Sequence, residues 1–280
     1  MNLTSMIAVY NEEQRIKRLV VSAKLWCDEV LVLDKGSQDD TRGIAADLGA
    51  KVVSIPFCGP GEEDTFKWAH EYASSDWILA ITPSEQPTLD MAKFFRAFSP
   101  HQFRDADVIQ LPVKVMTFGD FIPRAGPWAL SFQPRLWNKH RATATGKIHA
   151  PLALTANTRR LDFRKDFFLL HCTHPSFESF IEKHKSYAAG EARTAGDLYR
   201  ACRLAIEKAE RHDIDFLEAG KVGLRSMVAW KAYHYMIALA CLTFELDERT
   251  VLETYDRALD ALYLEIEREF RSRNSRHLPT

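Results

Sequence analysis

Polar and acidic residues directly follow two apolar runs near the start of the chain, and their types suit the binding of a charged ligand. The run Val30–Leu33 leads into the segment Asp34–Thr41, and the run Leu3–Val9 leads into the segment Tyr10–Glu13. Short apolar runs of this kind predict buried parallel strands, and the Gly-Ser pair in the first segment marks a loop. In open α/β sheets, ligands bind beyond the carboxyl ends of the strands. The two loops are therefore the first candidates for a binding site.

Strand and helix patterns alternate over residues 3–81, which predicts a mostly parallel, doubly wound α/β sheet. Apolar residues recur at a helical period over Glu12–Leu25, and Gly49 ends a second helix that begins at Asp40. The other elements predicted in this part are the strands Lys51–Ile55 and Trp77–Ile81 and the helix Asp64–Ala73.

The pattern changes after Thr88, where a helix at Leu89–Phe98 is followed first by β-rich and then by helical sequence. The predicted strands are Val108–Phe118, Leu130–Trp137 and Phe167–Leu170. The predicted organisation is an α/β half of nucleotide-binding type over residues 1–100, a β-rich half over residues 101–175 and a helical extension over residues 176–280.

The last part of the extension has the clearest helical pattern. Thr250–Glu253 fits a capping box, which predicts that a helix begins there. One face of this helix carries the apolar side chains of Val251, Tyr255, Leu259, Leu262, Ile266 and Phe270. We expect this face to pack against the rest of the protein.

Composition and charge limit the classes of function. The formal net charge is -1, so the chain has no overall field that would attract nucleic acid. The five cysteines are scattered without a C-x-x-C pair, which indicates a reducing compartment rather than a disulfide framework. No signal-peptide pattern precedes the first strand, and Lys231 and His234 interrupt the most apolar window, Met227–Phe244. We therefore expect a cytoplasmic protein.

The two loops and their spacing resemble the opening of the family 2 glycosyltransferases, whose fold is of the GT-A type. The family pattern is an apolar strand, Y-N-E-E, a helix and then D-x-G-S-x-D-x-T. Later segments are similar to further motifs of the family, namely Asp76–Ile81, Pro134–Trp137, Gly146–His149 and the stretch His171–Tyr187. This combination resembles the branch that includes lipopolysaccharide-core glucosyltransferase-like proteins.

The resemblance implies a GT-A-like fold with a nucleotide-sugar site in the two loops. Its nucleotide-binding residues would be Tyr10, Asn11, Glu12, Asp34, Gly36, Ser37 and Asp39. Structural roles stay open for the acidic members, because Asp34 and Asp39 can cap loop amides and Glu12 can favour a helix N-terminus. Asp40 is predicted to be a helix N-cap.

Two positions differ from the family pattern where its chemistry is expected. The family's D-x-D-E segment, whose carboxylates hold Mg²⁺ or Mn²⁺ on the nucleotide diphosphate, reads Thr82-Pro83-Ser84-Glu85 here. Hydroxyl groups and a proline are poor ligands for such a cation, so we expect nucleotide binding to depend little on metal. Basic side chains would then stabilise the leaving group. The candidates are Lys35, Lys67, Arg124, Arg135 and Lys147.

The second difference affects the acceptor-activating base. The family carries a glutamate after the histidine of its G-x-V-H-E motif, and Ala150 occupies that position here. Glu85 and His149 are the titratable groups left at catalytic positions. The simpler interpretation of Glu85 is a solvated loop carboxylate, and that of His149 is a core histidine.

Three functions follow as hypotheses. The first is an inverting glycosyltransferase with a UDP- or GDP-linked sugar as donor and a glycan or glycolipid as acceptor, acting in cell-surface polysaccharide or lipopolysaccharide synthesis. The second is a degenerate nucleotide-sugar-binding or scaffolding protein, and the third is another α/β nucleotide-binding transferase. The helical extension is the candidate for peripheral contact with the inner face of the membrane. A zinc site at His171–His174 is disfavoured because the spacing is too tight.

Overall fold

The computed structural model of this protein contains a large mixed sheet, in which β1 and β2 form a parallel pair near one edge. The structure describes residues 2–57, 65–119, 131–147, 150–176, 179 and 248–275. Its strands are β1 Thr4–Val9, β2 Glu29–Asp34, β3 Lys51–Ser54, β4 Trp77–Ile81, β5 Glu85–Pro87, β6 Val108–Thr117, β7 Ser131–Asn138, β8 Ala144–Lys147, β9 Ala150–Leu152, β10 Thr158–Arg160 and β11 Leu169–Thr173. Its helices are α1 Glu13–Trp26, α2 Thr41–Asp47, α3 Thr65–Tyr72, α4 Leu89–Arg96 and α5 Glu248–Ser275, with a 3₁₀ turn at Pro100–Phe103.

The first four strands form the parallel part of the sheet. β1 pairs in parallel with β2 on one side and with β4 on the other, and β3 pairs in parallel with the outer side of β2. The core segments of β1, β2 and β4 are apolar and buried, because helices cover both faces of a parallel sheet. β3, at the edge, is half-buried or exposed. The predicted β-α-β organisation of residues 1–100 is confirmed.

The β-rich half continues the same sheet. Across the described residues the strand order is β3-β2-β1-β4-β7-β6-β11-β5, and β10 also pairs with β6. β7 is antiparallel to both β4 and β6, whereas β6 and β11 are parallel to each other. The carboxyl ends of β1, β2, β4, β6 and β11 therefore meet at one edge of the sheet. The predicted α/β class, with a parallel part followed by a β-rich part, is confirmed.

Two local predictions were wrong. Glu85 was interpreted as a loop residue, but it begins the strand β5, Glu85–Pro87, which pairs with β11 in antiparallel register. The capping box at Thr250–Glu253 was predicted to start a helix, but α5 already includes Glu248. The strand β5 depends on its pairing with β11, a contact between segments far apart in the chain that no local pattern reports.

Helix α5 is part of the core. Its Ile266 and Phe270 belong to the same buried cluster as the apolar residues of α1 and β1, as expected from its apolar face. Val251 and Tyr255 pack against Met116 on β6 and against β11. Arg18 on α1 forms ion pairs with the α5 residues Asp256 and Asp260, at 3.1 and 3.0 Å. A domain division at residue 175 stays a prediction.

The remainder of the predicted helical extension, including Met227–Phe244, lies outside the described residues. Within the part of the chain that the structure describes, no helix has both the length and the apolar character needed to cross a membrane.

The hydroxyl of Tyr255 joins α5 to two strand ends. It donates a hydrogen bond to the carbonyl of Thr173 at 2.6 Å and accepts one from the amide of Gly119 at 3.2 Å. Phe118 and His174, beside these two residues, both adopt left-handed backbone conformations with φ of 53°. The hydroxyl thus satisfies backbone groups where two strands end in strained turns.

We predict that Tyr255→Phe lowers the free energy of unfolding by about 1–2 kcal/mol, because it leaves a buried carbonyl without its donor. The matched control is Tyr263→Phe on the same helix, where the lost hydrogen bond joins the hydroxyl to Glu267 within the helix. Urea unfolding measures both. Equal losses in the two variants would contradict an anchoring role for Tyr255.

Candidate functional site

The strand order reverses at β1. The chain winds from β1 to β2 and β3 on one side and then crosses to β4 on the other side. In open α/β sheets, the crevice at such a reversal, outside the carboxyl ends of the strands, is the preferred ligand site. Tyr10 directly follows β1, and Thr82 directly follows β4. The fold therefore places the predicted Y-N-E-E and Thr82–Glu85 segments on the two sides of one crevice.

The first two candidate loops are interlocked by hydrogen bonds. Asn11 has a left-handed backbone with φ of 55°, its amide donates to the hydroxyl of Ser37 at 3.0 Å, and its side-chain oxygen accepts from the amide of Gln38 at 2.9 Å. The amide of Glu12 donates to the hydroxyl of Thr41 at 2.7 Å. Asn11, Glu12 and Ser37 were predicted to contact the ligand, and in the structure they take part in the hydrogen bonds that join the two loops.

Asp39 supports the same junction. Its carboxylate accepts hydrogen bonds from the hydroxyl and amide of Thr41 and from the amide of Glu13. Burial of this group acts to raise its pKa, but the hydrogen bonds outweigh that effect and the pKa is lowered. Asp40 takes the predicted N-cap position of α2, although its side chain makes no cap hydrogen bond. The carboxylate of Glu12 pairs with Arg15 at 2.7 Å, in the first turn of α1.

Asp34 lies beneath the second loop. Its side chain has no exposed surface, and its two oxygens accept hydrogen bonds from the amides of Gly36 and Ser37 at 3.1 Å each. Gly36 adopts φ of 88°, a conformation that glycine tolerates better than other residues, which accounts for its place in the motif. The loop-capping role that the sequence left open for Asp34 is thus present in the structure. A ligand would contact the surface that Asp34 supports.

The segment after β4 is turned inward. The hydroxyls of Thr82 and Ser84 are hydrogen-bonded to each other at 3.0 Å. Glu85 is fully buried, and its carboxylate accepts from the amide of Thr82 at 2.9 Å and from the guanidinium of Arg135 at 2.6 Å. The interpretation of Glu85 as a solvated loop carboxylate was wrong. Because both carboxylate oxygens are engaged and inaccessible, Glu85 is not placed to take a proton from an acceptor.

His171 completes this buried cluster. Its Nδ1 lies 3.6 Å from the same Glu85 oxygen that binds Arg135, and its side chain keeps 19% of its surface exposed. His171 is directly opposite Glu85 in the pairing of β11 with β5, so the two side chains share a face. His171 had been matched to a family motif and considered, with His174, for a disfavoured zinc site, but no catalytic role was predicted for it. Since β5 was not predicted, nothing in the sequence brought the two residues together.

The donor set after β4 does not fit the divalent cation that the family pattern implies. Two hydroxyls bonded to each other and one ion-paired carboxylate cannot supply the anionic oxygens that Mg²⁺ or Mn²⁺ requires. The residues that the structure describes contain no group of three or more His, Cys, Asp or Glu side chains that could hold a metal ion. The segment His171–His174, which was considered for zinc, lies within this described part of the chain.

The basic side chains that were predicted to stabilise the leaving group lie in different parts of the structure. Arg135 is close to the crevice but is paired with Glu85, and Lys35 is buried behind the second loop. Lys67 is exposed on α3. Arg124, the side chain of Lys147 and the catalytic candidate His149 lie outside what the structure describes. Burial raises the pKa of the Cys172 thiol to about 12, so this cysteine on β11 is not a thiolate nucleophile at neutral pH.

We predict strong coupling between Glu85 and Arg135. Arg135→Met leaves a buried carboxylate without its counter-charge and should cost about 3–5 kcal/mol of folding free energy. The double variant Glu85→Gln/Arg135→Met carries neither charge, so its loss should be smaller than the sum of the two single losses. Urea unfolding of the four proteins gives the coupling energy. Additive losses would show that the pair is not coupled.

We also predict that the left-handed conformation of Asn11 limits its replacement. Asn11→Gly and Asn11→Ala both remove the side-chain bond to Gln38, but only alanine resists the left-handed backbone. The alanine variant should be less stable than the glycine variant by about 1 kcal/mol. Thermal and chemical unfolding of the pair measure the difference. A glycine variant that is the less stable of the two would disprove this explanation.

Comparison with protein families gives one match in this part of the chain. Residues 4–91 match the model of glycosyl transferase family 2. The matched range begins at β1 and ends within α4, so it includes the crevice between β1 and β4 and the segment after β4.

Two curated relatives are similar over about two thirds or more of the chain, and a third over a shorter part. An uncharacterized glycosyltransferase of Rickettsia typhi is 29% identical over 221 residues, which cover 73% of this chain and 73% of the relative. An uncharacterized glycosyltransferase of Rickettsia prowazekii is 29% identical over 199 residues, with 68% and 67% covered. A TPR repeat-containing protein of Synechococcus elongatus is 34% identical over 86 residues, which cover 29% of this chain.

Solved structures show a partial likeness. Glucosyl-3-phosphoglycerate synthase from Mycobacterium tuberculosis, solved with phosphoglyceric acid, is 23% identical, with a TM-score of 0.31 over 41% of this chain. The alignment covers 44% of that protein, so it spans less than half of its length. The same enzyme has been solved with Mn²⁺, UDP and phosphoglyceric acid.

Proposed function

We propose that this chain transfers a sugar from a nucleotide-activated donor to a glycan or glycolipid acceptor. The premise is the match of residues 4–91 to the model of glycosyl transferase family 2. The observation that carries the proposal is the coincidence of the family match with the strands whose order reverses at β1. A UDP- or GDP-linked sugar would lie in the crevice beyond β1 and β4. An acceptor from cell-surface polysaccharide or lipopolysaccharide synthesis, and a cytoplasmic location, are finer parts of the same proposal.

The two interlocked loops would present the nucleotide-binding surface. Tyr10 and Gly36 are exposed there, whereas Asp34 and Ser37 are buried and hold the loop backbone in place. Most of the predicted contact residues would thus act by fixing backbone geometry, and Tyr10 would meet the ligand directly. This division of roles is supported by the hydrogen bonds between the loops.

The transfer would be a single displacement with inversion. The acceptor oxygen would form a bond to the anomeric carbon as the bond from that carbon to the diphosphate oxygen breaks, and the hydroxyl proton would pass to a base. Glu85 would serve as a positioning residue for Arg135 and His171, because its carboxylate is enclosed. His149 stays the predicted base.

The leaving diphosphate gains negative charge, which its surroundings must offset. Since the segment after β4 does not fit a divalent cation, basic side chains are proposed to take this role. Arg135 is the described candidate nearest to that segment, although its charge is balanced by Glu85 in the absence of ligand.

A nucleotide-sugar-binding protein without turnover is the second candidate. The observations that favour it are the replacement of the family carboxylates by Thr82 and Ser84 and of the family glutamate by Ala150. Such a protein would bind the donor in the same crevice. Binding therefore tests what both candidates share, and release of free UDP or GDP from the sugar nucleotide separates them.

We predict that the affinity of the protein for UDP, for GDP and for their sugar conjugates changes little when Mn²⁺ is replaced by EDTA. Calorimetry and thermal shift report the binding whether or not the protein turns over, because ligand binding raises the apparent stability. Thr82→Asp/Ser84→Asp should introduce metal dependence by restoring two anionic oxygen ligands. The control is Thr155→Asp/Thr158→Asp, in the turn before β10 and at the first residue of β10, away from the crevice. A sharp loss of affinity with EDTA in the unmodified protein would refute the prediction.

A further inference from the structure

Two exposed aromatic side chains touch at the edge of the sheet where the crevice opens. Tyr10 keeps 42% of its surface exposed and Phe57 keeps 59%. Their ring centroids are 5.2 Å apart and the rings are tilted by 57°. Tyr10 was predicted to bind nucleotide, but Phe57 carried no motif and was assigned no role.

The backbone on which the two rings stand is well fixed. Tyr10 follows β1, and the amide of Lys35 donates to the carbonyl of Val9 at 3.0 Å just before it. Phe57 follows β3, and the amide of Ile55 donates to the carbonyl of Asp34 at 2.8 Å. The strands β1 and β3 lie on either side of β2, so the pair bridges the end of β2 above the buried Asp34.

The pair is poorly explained as part of the core. Phe57 contributes more than half of its surface to solvent, so its removal would leave no internal cavity. The carboxyl ends of β1, β2 and β3 are where this fold binds ligands, and an exposed aromatic face there matches a flat, apolar ligand group. The segment after β4, on the other side of β1, is the polar side of the crevice.

We propose that Phe57, together with Tyr10, stacks on the base of the donor nucleotide and that Phe57 is a residue determining nucleotide affinity. This inference rests on the proposed function, since it needs a nucleotide in the crevice. The base would lie on the β2–β3 side and the diphosphate towards β4. An aromatic face stacks on any base, so the pair would supply affinity, while the choice among bases would come from polar groups of the loops.

The experiment compares nucleotide binding by the full chain and its variants, using calorimetry with UDP and GDP and with pyrophosphate as the probe that lacks a base. Phe57→Ala should weaken binding of the preferred nucleotide by about 5- to 150-fold, the range for loss of base stacking. Phe57→Leu, which keeps an apolar side chain, should show most of the same loss. Phe57→Trp should keep the affinity, and pyrophosphate binding should not change in any variant.

The matched control is Phe163→Ala, which removes another exposed aromatic side chain, 40% accessible, between β10 and β11. It should bind nucleotide as the unmodified protein does. Thermal unfolding without ligand should show that the Phe57 and Phe163 variants are equally folded.

The outcomes separate this inference from the function on which it rests. If the unmodified protein binds neither UDP nor GDP, the proposed function fails and the stacking site fails with it. If it binds one of them and Phe57→Ala binds equally well, only the stacking site is overturned. Equal losses for nucleotide and pyrophosphate would also overturn it, because Phe57 would then support the loops rather than the base.

Discussion

The buried ion pair between Glu85 and Arg135 is the contact on which the site edge of the sheet depends. It joins the turn after β4 to β7, and through His171 it reaches β11. A buried charge is costly unless it is paired and hydrogen-bonded, and here both carboxylate oxygens have donors. The pair thereby fixes where β4 ends, how β5 meets β11 and what the crevice can offer a ligand. Because both oxygens of Glu85 are engaged, the only acidic residue of this segment is not placed to bind a metal ion.

On the other side of the crevice, polar contacts within the protein likewise hold the two loops in place. Their polar residues bind mainly to one another, and the left-handed conformations at Asn11 and Gly36 let the backbone turn sharply enough for these bonds to form. In the folded chain, the side chains of this motif largely hydrogen-bond to the backbone of the two loops. The exposed side chains at this edge include Asn11 and Gln38 of the loops, Tyr10 and its neighbour Phe57. A site of this kind suits a nucleotide, whose base can stack and whose phosphates accept hydrogen bonds from backbone amides.

Helix α5 packs against both the parallel part of the sheet and the β-rich half. Its apolar face completes the core shared by α1 and α4, and its Tyr255 holds the ends of β6 and β11, which lie at the same edge as the crevice. The C-terminal helix therefore helps to shape the edge of the sheet at which the crevice opens, although it lies far from that edge in sequence.

The sequence by itself determined the strands β1–β4, the helices between them, the amphipathic face of α5 and the position of the two loops. These features depend on local periodicity and turn chemistry, which a short window of residues reports. Only the tertiary structure decided that Glu85–Pro87 form a strand, that Glu85 is buried against Arg135 and His171, and that Phe57 touches Tyr10. Each of these arises from pairing between segments far apart in the chain, and burial reverses the ordinary preference of a carboxylate for water only when a distant partner compensates its charge.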